Sequence, residues 1–241
     1  MGANGKALVC SGIRVQDICD HSMEHNVVGN MHPPLRGGGG QFWKRRIPFL
    51  IILAGLGIAA WQLREHNSPP IPAQGGTPFQ NFAALETPFY LQNDDRWKDE
   101  KIGGGEKLGD VGCAICSLAM ALDRFGNHYT PKDLNDQLKA NNGYTWRGRL
   151  KWQAVSTITG NKITVEAVRK PSHADIDAAL TNKYPVIAKL LINGAIPHWV
   201  LIVGKQGTNY LMRDPLGNGH SLEPASKYES DIFGVRIVKP L

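Results

Sequence analysis

The chain has few cysteines, no strongly basic domain and no phosphate- or metal-binding motif. Each of these absences excludes a class of protein or function. Four cysteines in 241 residues are too few for a disulfide scaffold. The net charge of +6 is evenly divided, because residues 1–46 carry six Lys/Arg and three Asp/Glu and the remainder carries 21 and 18, which gives +3 in each part. Nucleic-acid binding needs a concentrated basic surface and is not expected. No cofactor and no metal are expected either, because residues 84–241 contain no phosphate-binding glycine motif and no clustered metal ligands.

One long hydrophobic run lies near the N-terminus. Residues 47–63 read IPFLIILAGLGIAAWQL, with no charged side chain in 17 residues. A helix of this length spans roughly 25 Å, close to the hydrocarbon thickness of a bilayer. Three basic residues at 44–46 precede it, so the positive-inside rule puts the N-terminus in the cytoplasm and the rest of the chain outside. The sequence predicts an uncleaved transmembrane signal-anchor. The alternative is a signal peptide cleaved near Ala59 and Ala60, which would leave the domain secreted.

Composition divides the rest of the chain into a tail, a linker and one domain. Residues 1–46 have no sustained apolar period and contain four consecutive glycines, so they are predicted to be a disordered cytoplasmic tail. Residues 64–83 are rich in Pro, Gly and polar side chains, and they are predicted to be a linker. Residues 84–241 number 158, which is enough for one hydrophobic core.

The predicted domain begins with helical patterns and ends with strand patterns. Apolar spacing predicts a helix over Val111 to Arg124 and a shorter one over Leu150 to Ile158, and capping signals predict helices after Thr130 and Ser172. The C-terminal part contains four short runs of branched and aromatic residues that are typical of strands, with a hairpin turn predicted at Gly204 to Asn209. Helices followed by an antiparallel sheet predict an α+β domain.

Three side chains in this domain follow a pattern typical of nucleophilic catalysis. Cys113 follows Gly112 at a predicted helix start, where free backbone amides and the helix dipole favour a thiolate. Such a nucleophile needs a base, and the base needs an orienting group. His198 opens one predicted strand and Asp214 closes the next, so the hairpin would bring them to neighbouring rungs. The backbone amide of Cys113 and the side-chain amide of Gln92 are candidate donors to an oxyanion.

Four short motifs follow one another between residues 87 and 240. They are Gln92-x-Asp94-x-x-Trp97, Gly112-Cys113 followed by Ser117, His198 followed by Val203-Gly204, and Asp214-Pro215. This ordered set resembles the stand-alone relatives of the bacteriocin-leader-processing (double-glycine peptidase-like) cysteine peptidases of the papain-like superfamily. The resemblance implies a papain-like fold with Cys113 as nucleophile, His198 as general base and acid, Asp214 as the orienting group and Gln92 as an oxyanion donor.

The function implied by this resemblance is a membrane-anchored, extracytoplasmic cysteine peptidase. It would hydrolyse peptide bonds through a thioester intermediate, with a peptide, a protein or a peptidoglycan cross-link as substrate. Cys116 departs from the pattern, because relatives usually carry Ser or Thr there. Double-glycine specificity is not implied, since the known double-glycine peptidases are fused to export pumps and this sequence shows no such domain.

Two other functions stay open at this point. A papain-like domain that had lost its activity would bind peptide or glycan at the membrane surface. Cys113-x-x-Cys116 at a helix start is also the geometry of a thiol–disulfide redox pair. That second function would need a strand before the motif and alternating strands and helices after it, and this sequence predicts a glycine-rich loop and a block of strands instead.

Overall fold

The computed structural model describes residues 69–80 and 84–241, which form an α+β arrangement as predicted. The tail predicted at 1–46 and the hydrophobic run predicted at 47–63 lie outside these residues. In the part of the chain that is described, none of the helices has both the length and the apolar character needed to cross a bilayer.

The described residues contain five α-helices. They are α1 (Leu108–Val111), α2 (Cys113–Asp123), α3 (Pro131–Ala140), α4 (Ala154–Ile158) and α5 (His173–Thr181). The helix predicted over 111–124 is confirmed by α2, whereas α4 is shorter than the helix predicted over 150–158. Thr130 and Ser172 cap α3 and α5 through capping boxes, each completed by an aspartate three residues later. These signals are local, which explains why the sequence predicts them well.

Among the described residues, six strands form one antiparallel sheet. They are β1 (Gln74–Phe79), β2 (Ile163–Val168), β3 (Val186–Ile192), β4 (Ile196–Arg213), β5 (Glu223–Pro224) and β6 (Gly234–Pro240). Their order is β1-β4-β3-β6-β2, and β5 pairs with β4 away from this path. The sequence predicts neither β1 nor β2, so strands stand before and between the helices as well as after them. The sheet is antiparallel as predicted.

The linker predicted over residues 64–83 differs from the structure, because β1 lies within it. β1 is a largely exposed edge strand that pairs with β4, so it lacks the apolar alternation that marks a half-buried strand. A buried ion pair secures it: Lys205 Nζ donates to Asp177 Oδ1 at 2.6 Å and to the Thr77 carbonyl at 2.8 Å. Asp177 Oδ2 also accepts the Thr77 amide. The folded domain therefore begins before Ala84.

The predicted hairpin lies within β4. The sequence predicts two strands joined by a turn at 204–209, and Ile196–Arg213 includes both of them as one continuous strand. Its first part pairs with β3 and its second part with β1 and β5. A straight strand would hold His198 and Asp214 roughly 50 Å apart, yet their side chains are hydrogen-bonded. The chain therefore reverses inside β4, and Gly207, with φ of 56°, lies on this stretch.

Helix α2 packs against β4 and β3 at the centre of the domain. Nine of its eleven residues are buried, so its position is fixed by packing along its whole length. Ser117 Oγ on this helix donates to the Trp199 carbonyl at 3.2 Å. Because Trp199 is the neighbour of His198, this bond joins the helix that begins at Cys113 to the strand that carries His198.

Candidate active site

Cys113 is the first residue of α2, and the glycine before it allows this placement. The Gly112 amide donates to the Leu108 carbonyl at 2.7 Å. A Cβ at position 112 would lie only 2.4 Å from the same carbonyl oxygen, so a larger residue would clash with backbone. Helix α1 can therefore end directly against the start of α2. Cys113 sits where the first amides of a helix lack intrahelical acceptors.

His198 contacts both other members of the predicted triad. Its Nε2 donates to Asp214 Oδ1 at 2.7 Å, and both side chains are buried. Burial lowers the pKa of His198, but hydrogen bonds to Asp214 and Cys113 and the charges of both outweigh burial and raise the pKa to about 9. Since Nε2 is taken by Asp214, Nδ1 is the ring nitrogen left to face Cys113. The three predicted residues therefore meet in the order thiol, imidazole, carboxylate.

Asp214 is a fully buried carboxylate with four donors. Oδ1 accepts from His198 and from the Leu216 amide at 2.9 Å. Oδ2 accepts from Tyr228 Oη at 2.5 Å and from Lys227 Nζ at 3.1 Å. Burial raises the pKa of Asp214, but the hydrogen bonds from His198, Tyr228 and Leu216 outweigh it and hold the pKa well below its usual range. Asp214 is therefore ionised beside His198.

Lys227 and Tyr228 are contacts of the site that the sequence does not predict. They end a short 3-10 helix, Ala225–Tyr228, which follows β5. The pairing of β5 with Leu211 and Met212 of β4 carries this helix back to Asp214. No local motif marks the two residues, and only the strand pairing reveals them.

Gln92 links the two segments that border the site. Its side-chain Nε2 donates to the Gly109 carbonyl in α1 at 2.8 Å, and its backbone amide donates to the Pro215 carbonyl at 2.9 Å. The bond to Gly109 identifies which end of the side chain is nitrogen, and one N–H of that amide remains. Oε1 is buried without a partner among the described residues. Gln92 thus stands between the helix segment before Cys113 and the loop after Asp214.

The other residues of the first motif shape the loop that carries Gln92. Trp97 is buried, and its Nε1 donates to the Leu91 carbonyl at 2.7 Å. The Trp97 backbone amide donates to the Asp94 carbonyl at 3.1 Å. The Trp97 indole therefore holds together the loop that carries Gln92. This contact explains the spacing between Gln92 and Trp97 in the motif.

Cys116 lies in the core beneath the site. Both Cys113 and Cys116 are free thiols, and burial, reinforced by Cys113, raises the pKa of Cys116 well above its usual value. The segment before the motif is α1 followed by Gly112, and the sheet is antiparallel. A thioredoxin-type redox pair would need a strand at that point. The surroundings of Cys113 therefore favour nucleophilic chemistry over disulfide exchange.

This geometry predicts that Cys113, at a helix start and beside His198, reacts with alkylating reagents faster than a free cysteine. Iodoacetamide should label Cys113 about tenfold faster than a free cysteine between pH 5 and 7, and His198→Ala should remove most of that excess. Peptide mass spectrometry gives the rate at each cysteine. Cys116→Ser is the matched control and should keep the fast labelling. A rate no greater than that of a free thiol, and unchanged by His198→Ala, would contradict the pairing.

Comparison with known proteins identifies a family for this chain. The model of the Peptidase C39 family matches residues 109–231, just over half of the chain, a range that includes Cys113, His198 and Asp214 and leaves out Gln92. A crystal structure from Bacillus anthracis, described as a candidate C39-like peptidase, aligns at 16% identity and a TM-score of 0.42 over 66% of this chain and 98% of its own. No curated protein matches. On the strength of the family match, this chain belongs to the Peptidase C39 family.

Proposed function

We propose that this chain is a cysteine peptidase in which Cys113, His198 and Asp214 form the catalytic triad. One observation carries the proposal: the buried His198 ring is hydrogen-bonded to Asp214 at 2.7 Å, and Cys113 raises the pKa of the same imidazole. The family match supports a cysteine peptidase acting on a peptide or protein. A peptidoglycan cross-link is also a peptide bond and belongs to the same substrate class.

The acylation step follows from the order of the three side chains. The Cys113 thiolate attacks the carbonyl carbon of the scissile bond, and the negative charge moves to the carbonyl oxygen. The Cys113 amide and the remaining N–H of Gln92 are the proposed donors to this oxyanion. As the C–N bond breaks, the His198 imidazolium gives its proton to the leaving amine. The product is a thioester between the acyl group and Cys113.

Deacylation reverses the role of His198. The neutral imidazole takes a proton from the water that attacks the thioester, the C–S bond breaks to release the acid, and Cys113 leaves as a thiolate beside the imidazolium. Asp214 keeps the ring in place through both steps. With a pKa of about 9 against an ordinary 6.5, the imidazolium is fully present at low pH and is lost as the pH rises through about 9. Acylation should therefore decline on the alkaline side of that value.

A comparison of cleaved N-termini in cells tests the peptidase proposal. Cells that produce the wild-type chain should contain new protein N-termini that are absent from cells producing Cys113→Ala, because that variant lacks the nucleophile. His198→Ala should lose the same set of termini. Cys116→Ser, at equal expression, is the control and should keep them. Identical sets of termini in wild type and Cys113→Ala would refute proteolysis as the function.

Exposed apolar side chains border the proposed triad. Among the described residues six large hydrophobics are exposed, and three of these lie two positions from a triad member: Val111, Ile196 and Leu216. They are between 42% and 59% exposed. Ile196 lies on the same face of β4 as His198, since side chains alternate along a strand. We infer that the substrate presents an apolar side chain next to the bond that is cut.

A pair of matched peptides tests this preference. Once a cleaved sequence is known, a version with Leu beside the scissile bond should have kcat/KM on the order of tenfold above the version with Asn. Ile196→Asp and Leu216→Asp should reduce that ratio. Leu241→Asp is the control, because Leu241 is also apolar and exposed, but its backbone amide donates to the Lys162 carbonyl beside the edge strand β2. Equal rates for both peptides would contradict an apolar subsite.

We propose further that residues 47–63 anchor the chain in a membrane with the peptidase domain on the extracytoplasmic side. The absence of charge in 17 residues and the basic residues at 44–46 support this orientation. Tethering would confine proteolysis to substrates at or near that membrane surface.

Fractionation of cells tests the anchor. The full-length chain should stay in the membrane pellet after alkaline carbonate extraction, and protease added outside the membrane should digest the domain. Replacing Leu53 and Leu56 in the middle of the run by Arg should release the chain, because each arginine at the centre costs about 3 kcal/mol of insertion. Recovery of a soluble wild-type protein whose N-terminus lies after Ala60 would establish cleavage and refute the anchor.

A further inference from the structure

The Asp214 carboxylate accepts more hydrogen bonds than a catalytic triad requires. A single bond to His198 would orient the imidazole, but Asp214 has three further donors. Two of them, Lys227 and Tyr228, are adjacent residues at the end of the 3-10 helix. Both bind Oδ2, the oxygen turned away from His198. This helix therefore acts on the far side of the carboxylate.

Tyr228 contacts two members of the triad at once. Its hydroxyl donates to Asp214, and its ring meets the His198 ring edge-on, with centroids 5.5 Å apart and planes at 73°. Burial and the Asp214 charge raise the pKa of Tyr228 above its ordinary value of 10, so the hydroxyl keeps its proton and stays a donor. The Tyr228 side chain thus limits rotation of the carboxylate and of the imidazole together.

Lys227 supplies a second cation. Its Nζ lies 3.1 Å from Asp214 Oδ2 and 3.0 Å from Glu223 Oε1, and Glu223 thereby keeps the ammonium in place. The Lys227 charge lies beside the far oxygen of Asp214, so it offsets part of the cost of burying that carboxylate, which matters because an uncompensated buried charge is costly.

We propose that Lys227 and Tyr228 are positioning residues: Tyr228 fixes the geometry of the Asp214–His198 couple, and Lys227 weakens the negative potential of Asp214 at the imidazole. The proposal rests on the peptidase function proposed above for this site. The charged and titratable groups that face His198 are Cys113 from α2, Asp214 from the end of β4 and Tyr228 from the 3-10 helix, with Lys227 and Glu223 behind Asp214. On β3, its partner in the sheet is the apolar Leu190.

An NMR titration of His198 tests the role of Lys227. In Lys227→Met the Asp214 charge loses a nearby cation, so its attraction for the imidazolium grows and the midpoint should rise by about half a pH unit or more. Lys227→Arg keeps the positive charge and should keep the wild-type midpoint. A midpoint that does not move in Lys227→Met, or that moves equally in Lys227→Arg, would overturn the electrostatic role of Lys227.

Proton exchange at His198 Nε2 tests the role of Tyr228. Tyr228→Phe keeps the ring but removes one of the four donors to Asp214, so the Nε2 proton should exchange with water several-fold faster than in wild type. Tyr129→Phe is the matched control, because it also deletes one tyrosine hydrogen bond, at 3.2 Å to the Ile158 carbonyl outside the site. Equal exchange rates in the two variants would overturn the positioning role.

Both measurements are independent of turnover. The titration and the exchange rate are read on the free protein, so they give an answer even if no peptide is ever cleaved. Loss of the peptidase function would appear in the comparison of N-termini, whereas loss of the positioning roles would appear only in His198. Urea unfolding of each variant beside wild type shows that the fold is retained before the two signals are compared.

Discussion

The interaction on which this site depends is the buried hydrogen bond between His198 and Asp214. A carboxylate taken out of water loses several kcal/mol of solvation, and only good geometry and additional donors make up for that loss. Asp214 accepts hydrogen bonds from four donors, each on a different residue. The loop after β4, the pairing of β5 and the 3-10 helix can all be understood as the structure that brings these donors to one buried group.

Cys113, the proposed nucleophile, is brought to this couple by a different part of the fold. Helix α2 is buried along most of its length, and Ser117 ties it to the backbone beside His198. Its first residue is therefore placed by the packing of the whole helix rather than by a flexible loop. The close approach at Gly112 then leaves Cys113 at the helix start. The proposed triad thus joins a helix, one long reversing strand and a loop, and it needs the domain core to hold them together.

The sequence predicts features that depend on residues close together in the chain, and it misses features that depend on distant partners. Thr130 and Ser172 cap helices through partners three residues away, so they are visible in a short window. Cys113, His198 and Asp214 each have a local marker, and the family resemblance put them in order. β1 could not be predicted, because an exposed edge strand held by Lys205 depends on a partner more than a hundred residues away. Tyr228 has no marker, because only the pairing of β5 with β4 brings it to Asp214.

Because the orienting group is an aspartate, it affects both the position of the His198 ring and the pKa of that ring. A neutral amide in that place would hold the imidazole without adding charge, and it would need no cation behind it. Asp214 adds a negative charge that attracts the His198 proton and so supports the pKa of about 9. The same attraction, if unopposed, would hold the proton too firmly for transfer to a leaving amine. A cation at Lys227 opposes it from the far side of the carboxylate, so the residues that fix the position of Asp214 also set how readily His198 releases its proton.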